Sequence, residues 1–205
     1  IGLSAGSNVT GSANLAFGVQ AGSHISGNQN IGIGYYAGFS TSGEQNTAIG
    51  YGAGWTVSGS NNTAIGDGIG KGEGAGSKVT GNDNVALGRM AGRYITGNTN
   101  NSIGYMSGQS STGISNIAFG TSAGISVTGN SNIAIGNLAG TSVVAVNTTS
   151  IGRAAQASQN DAVAVGSSAT ATMADAVAIG RKAEATAQVG DVALVLAPDQ
   201  YAMAE

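Results

Sequence analysis

Tyr35, Tyr36 and Phe39 are followed by Tyr51 and Trp55, with Tyr51 standing 16 residues after Tyr35 and Trp55 standing 16 after Phe39. On a backbone that repeats with this period the five rings gather at one place. Aromatic side chains presented to solvent by a rigid frame are good anchors for protein or sugar ligands, the alternative being that they pack at corners of the coils or between chains. Just downstream, Asp67-Gly-Ile-Gly-Lys-Gly-Glu-Gly74 alternates glycine with other residues and cannot continue a strand pattern. It is expected to bulge outward as a loop, either a recognition surface with Asp67, Lys71 and Glu73 as its charged groups or a tolerated insertion without a role of its own. A phosphate cradle is excluded, because Lys71 is not followed by serine or threonine and no helical pattern follows.

Other chemistries find few residues to work with. His24 is the single histidine, too little for a serine triad or a histidine metal site, and cysteine is absent. The carboxylates Glu44, Asp67, Glu73, Asp83, Asp161 and Asp175 are scattered, and the calcium-roll pattern, with aspartate in every turn, is missing. The expectation is therefore a binding protein with no catalytic, metal or cofactor residues. A net charge of -3 without any run of lysine and arginine argues against nucleic acid. No apolar run is long enough to insert into a membrane, and no charged-then-apolar leader opens the chain. Because it starts in mid-repeat at Ile1-Gly2, the sequence reads as a piece of something longer.

The frame that must position these residues is written as a repeat. An anchor glycine recurs at Gly2, Gly18, Gly34, Gly50, Gly66, Gly88, Gly104, Gly120, Gly136, Gly152, Gly166 and Gly180, in steps of 16 broken by one of 22 and closed by two of 14. Before each anchor the residues alternate. In Asn116-Ile-Ala-Phe-Gly120, Ile117 and Phe119 share one face while Asn116 and Ala118 share the other, which is strand patterning. An aliphatic stripe, continued at Leu15/Phe17, Ile31/Ile33 and Val163/Val165, is expected to run down the molecule as its core.

A second apolar or β-branched site, about nine residues before the anchor, marks a shorter strand at Val9, Ile25, Thr41, Val57, Val79, Ile95, Val127 and Val143. Ser/Thr-Gly pairs such as Thr96-Gly97 and Ala-Gly pairs such as Ala53-Gly54 supply the turns. Asparagines recur at Asn14, Asn30, Asn46, Asn62, Asn84, Asn100, Asn116 and Asn132, a row suited to a hydrogen-bonded ladder.

Sixteen residues are too few for a strand, a crossover helix and a return strand, but they suffice for two strands and two turns. The fold class is thus all-β, an elongated parallel β-roll, a solenoid of 14- to 16-residue coils over residues 1–196, with a connector beginning at 197–205. Collagen is ruled out by the single proline and the lack of glycine at every third position, and disorder by 8% charged against 41% apolar residues. Each coil has few large side chains to offset the entropy of ordering its backbone, so partners are expected. The small residue between the two apolar ones, as at Ala48, Ala64 and Ala118, is the expected place for another chain to approach, giving a homo-oligomer.

The Asn-x-Ala-aliphatic-Gly repeats, ending in Asp175-Ala-Val-Ala-Ile-Gly180 and Gly190-Asp-Val-Ala-Leu194, resemble the YadA-type head of trimeric autotransporter adhesins from Ile1 to about Val195. The resemblance implies a left-handed winding, a homotrimer, and exposure on the bacterial outer-membrane surface with attachment to host extracellular matrix proteins or cell-surface receptors. Repeats of 16 residues, in place of the 14 usual in those heads, also resemble phage tail fibres. That gives the alternative of a structural shaft that recognises a host receptor on a virion tail fibre.

Overall fold

A computed structural model describes residues 1–195; Leu196 and the connector expected over 197–205 lie outside the described residues. Every named element is a β-strand. Twelve three-residue strands, from Leu15–Phe17 to Val192–Leu194, form one parallel sheet in chain order. Each pairs in register with the strand one coil later, so Ala118 sits beside Ala134 and Ser102 beside Ala118. At about 4.8 Å per rung the twelve rungs extend on the order of 55 Å. The step of 22 leaves this register intact, since Ala64 pairs with Ala86 across it.

The second wall is thinner. Through the 16-residue coils it consists of single parallel bridges from Thr10↔Ser26 to Thr128↔Val144. In the shorter coils it widens into the two-residue strands Gln156–Ala157, Thr170–Ala171 and Glu184–Ala185. Glycine is required where the walls turn. At Gly120 the backbone has φ +131°, and a Cβ there would stand 2.8 Å from the Gly136 carbonyl on the next rung. Two or three further positions per coil are left-handed without glycine, among them Tyr36 (φ 57°), Lys78 (φ 57°) and Tyr94 (φ 63°). Glycine positions in the sequence gave no sign of these.

The expected direction of the strand faces is reversed. Ala48, Ala64, Ala86, Ala118 and Ala134 point into the roll and are buried, while Leu15, Phe17, Ile65, Ile117, Phe119 and Ile135 point outward and are exposed, Phe17 and Phe119 to 53%. The cross-section explains this. A Cβ on the corner residue Gly54 would lie 2.7 Å from the Ala48 Cβ, and one on Gly92 would lie 2.8 Å from the Ala86 Cβ. Space between the walls at that position admits a methyl group or, at Ser102 and Ser150, a hydroxymethyl group. In the 14-residue coils the interior is alanine throughout, including Ala155, Ala164, Ala171 and Ala178. Longer coils make room for one larger residue on the thin wall, and Ile25, Val57, Val79, Ile95, Val127 and Val143 fill it, at the second apolar site marked in the sequence.

The asparagine row forms the ladder its spacing suggested. Asn100 Oδ1 accepts from the backbone N–H of Asn116 at 3.0 Å and from its Nδ2 at 3.1 Å, while Asn100 Nδ2 donates to the Gly113 carbonyl at 2.9 Å. Each carboxamide thus ties a buried polar row to a turn of the following coil. The ladder stops at Thr148, which donates both its N–H and its hydroxyl to Asn132 Oδ1. Beyond that residue alanine replaces asparagine and the coils shorten.

Candidate binding surface

The corner between each anchor glycine and the thin wall carries the side chains singled out for binding. Backbone hydrogen bonds from Gly52 to Tyr35, from Gly68 to Tyr51, from Met90 to Asp67 and from Met106 to Arg89 stack Tyr35, Tyr51, Asp67, Arg89 and Tyr105 in one row. Bonds from Thr56 to Phe39, from Lys78 to Trp55 and from Tyr94 to Ser77 align Phe39, Trp55, Ser77 and Arg93 in another.

Tyr35, Tyr36, Phe39, Tyr51 and Trp55 do come together. Tyr35 and Tyr51 stack with centroids 5.2 Å apart and planes 3° from parallel, and Phe39 and Trp55 stack at 4.5 Å. Tyr36 joins the two stacks, meeting Tyr35 edge-on at 4.6 Å and Trp55 at 5.1 Å. His24 tilts against Phe39 at 5.1 Å and faces Asn8 Nδ2 at 3.2 Å, closing the cluster on one side. Exposure is uneven: Tyr35 is 40% exposed, whereas Tyr36 is buried.

The loop expected at 67–74 forms, but it bends back along the corner over the rings. Lys71 Nζ stands 4.4 Å above the Tyr36 ring, two coils earlier. Gly72 lies against the Trp55 indole so closely that a Cβ on it would come 3.0 Å from the ring. Glu73 Oε2 sits 2.9 Å from Arg93 Nη1, an ion pair whose approach lies off the N–H axis and does not make a hydrogen bond. Gln109, oriented to satisfy the guanidinium, offers its carboxamide oxygen to Arg93 Nε at 3.1 Å. Asp67 is exposed, and its Oδ1 accepts from the Tyr51 N–H at 2.8 Å. Hydrogen bonding to the Tyr36 side chain raises the Lys71 ammonium above its ordinary pKa, against a smaller opposing effect of desolvation.

Lys78, Arg89, Arg93, Tyr94 and Tyr105, none of them among the residues expected in the site, continue the same corner. Lys78 Nζ donates to Tyr94 Oη at 2.9 Å and lies 4.6 Å over its ring, and Arg89 lies 5.7 Å over Tyr105. The signal was present: once the six inserted residues are taken out, Arg89 and Tyr105 fall at the place of Tyr35 in the repeat, Arg93 at that of Trp55, and Lys78 and Tyr94 one place further, at that of Thr56.

Compared with known proteins, the chain matches no family model, no curated protein and no solved structure.

Proposed function

We propose that three copies of this chain wind side by side as left-handed rolls and form the rod-shaped head of a bacterial surface adhesin. The observation that carries this reading is the outward aliphatic row, from Leu15 and Phe17 through Ile117 and Phe119 to Ile179 and Leu194. The last residue of each strand of this sheet is apolar on every rung, while the first is broken by Thr47, Thr63, Asn101 and Thr149, and an outward apolar row of this length is uncommon on a lone soluble chain. Meeting across a shared axis would remove it from water, with bulky side chains interlocking between copies where small ones had been expected. Closed threefold symmetry would then present three identical corners to a host matrix protein or cell-surface receptor, so that weak contacts sum to avidity. The role is attachment at the outer-membrane surface, without catalysis.

The second reading is a phage tail-fibre shaft, favoured by the uniform 16-residue coils on either side of the insertion. Sedimentation equilibrium on the purified chain tests the assembly, with a trimer mass expected; a stable monomer refutes it. Beads coated with the protein test attachment to cultured cells and immobilised matrix proteins. No retention on any of these surfaces refutes adhesion.

A further inference from the structure

The chain has a net charge of -3, yet four of its seven cationic side chains, Lys71, Lys78, Arg89 and Arg93, fall on neighbouring rungs of one corner. No run of basic residues announces them, because the coil period brings them together from separate segments. Arg93 is neutralised by Glu73. Lys71, Lys78 and Arg89 are exposed and have no carboxylate partner among the described residues. Each lies instead over an aromatic ring: Tyr36, Tyr94 or Tyr105. A cation held on a ring face keeps its outer side free for an anion.

We propose that this corner binds an acidic polysaccharide, laid along the rod axis with carboxylate or sulfate groups on Lys71, Lys78 and Arg89. The inference rests on the adhesive reading above and specifies its ligand. Three observations select this class. Charge is complementary, and it is local: three unpaired cations on a chain that is otherwise acidic suit a polymer of moderate charge density.

The second observation is the state of the rings. Tyr35 and Tyr51 each turn one face to the other, as do Phe39 and Trp55, while Tyr36 crowds Tyr35, His24 crowds Phe39 and Gly72 lies against Trp55, so few faces are left for the base stacking that single-stranded nucleic acids use. The third is spacing. Lys71 reaches back over Tyr36, two coils earlier, while Lys78 and Arg89 lean on Tyr94 and Tyr105 in the coils that follow theirs, so the cations are strung unevenly over several rungs, which suits an elongated polyanion better than an extended peptide with its fixed side-chain period of about 6.7 Å.

The test measures binding of the purified protein to heparin, hyaluronan, neutral dextran, polyglutamate and single-stranded DNA, for the parent and for the triple variant K71Q/K78Q/R89Q. The three positions are exposed, so the variant should melt as the parent does. Binding to heparin or hyaluronan, at least tenfold weaker in the variant and weakened by salt in the parent, is expected; a heparin preference assigns the cations to sulfate, and equal binding assigns them to carboxylate. Unchanged affinity in the variant, dextran binding as tight as either acidic glycan, or tighter binding of polyglutamate or DNA overturns the proposal. Bead adhesion to cells stripped of acidic glycans separates the two readings. Undiminished adhesion after stripping overturns the glycan assignment and leaves adhesion standing, while heparin binding with no adhesion to any surface overturns adhesion and leaves the glycan site.

Discussion

Asn132 donates twice to Asn116 Oδ1, from its backbone N–H and from its own carboxamide, both at 3.0 Å, and the same pair of bonds recurs down the row. Removing one carboxamide strands donors on the following rung in a place water does not reach. Asn100→Ala leaves the Asn116 N–H and Nδ2 and the Gly113 carbonyl without these partners. A loss of about 3 kcal/mol is expected from buried groups left unpaired. Urea unfolding checks it, with Asn101→Ala, at a partly exposed neighbour, expected to cost well under half as much.

Two glycines that look alike in sequence should behave oppositely. Gly120→Ala combines a left-handed φ with a methyl group pressed on the Gly136 carbonyl, and about 2 to 4 kcal/mol should be lost. Gly70 has nothing within 4 Å of the place its Cβ would occupy and no left-handed φ, so Gly70→Ala should be neutral or stabilise by up to about 1 kcal/mol. Thermal melts of the two variants side by side decide this.

The two faces of one strand should respond to different assays. Ala118→Leu overfills an interior with room for a methyl group and should cost about 1 to 3 kcal/mol or more. Ile117→Lys together with Phe119→Lys alters side chains that point outward and should leave the circular dichroism of the coil unchanged while shifting the sedimenting species from trimer to monomer. A variant that stays fully assembled would show that this face is not the one between copies.

The folded-back loop can be followed through Trp55, the only tryptophan. Glu73→Gln removes the ion pair that holds the loop toward Arg93, and faster limited proteolysis within 67–74 is expected with little change in global melting. Cleavage at the parental rate would mean that Gly72 packing on Trp55 suffices.

Lys71 gives the loop a pH dependence of known sign. Its folded pKa is raised, so its contribution is complete below the ordinary lysine range and disappears as pH climbs through the raised value. Trp55 fluorescence titrated into alkali should show a transition in the parent that is absent in Lys71→Gln, over and above the tyrosine signal common to both. Superimposable titrations would remove Lys71 from the docking of the loop.

Much of this architecture was legible beforehand because it is local or periodic. A step of 16 residues with a glycine at each turn and an asparagine before each strand dictates parallel rungs, as Asn100 and Asn116 show, since only in-register stacking brings like positions together. The clustering of Tyr35 with Tyr51 and of Phe39 with Trp55 followed from the same arithmetic.

What the chain could not declare was which way each strand faces. Isoleucine and alanine are both apolar, and alternation fixes which residues share a side without fixing which side is inner. That choice is made by the distance between the walls, where Gly54 abuts Ala48 and Gly92 abuts Ala86, so that alanine goes in and Ile117 and Phe119 go out. The return of Lys71, Gly72 and Glu73 onto Tyr36, Trp55 and Arg93 is decided in the same way, by contacts that exist only after the coils have stacked.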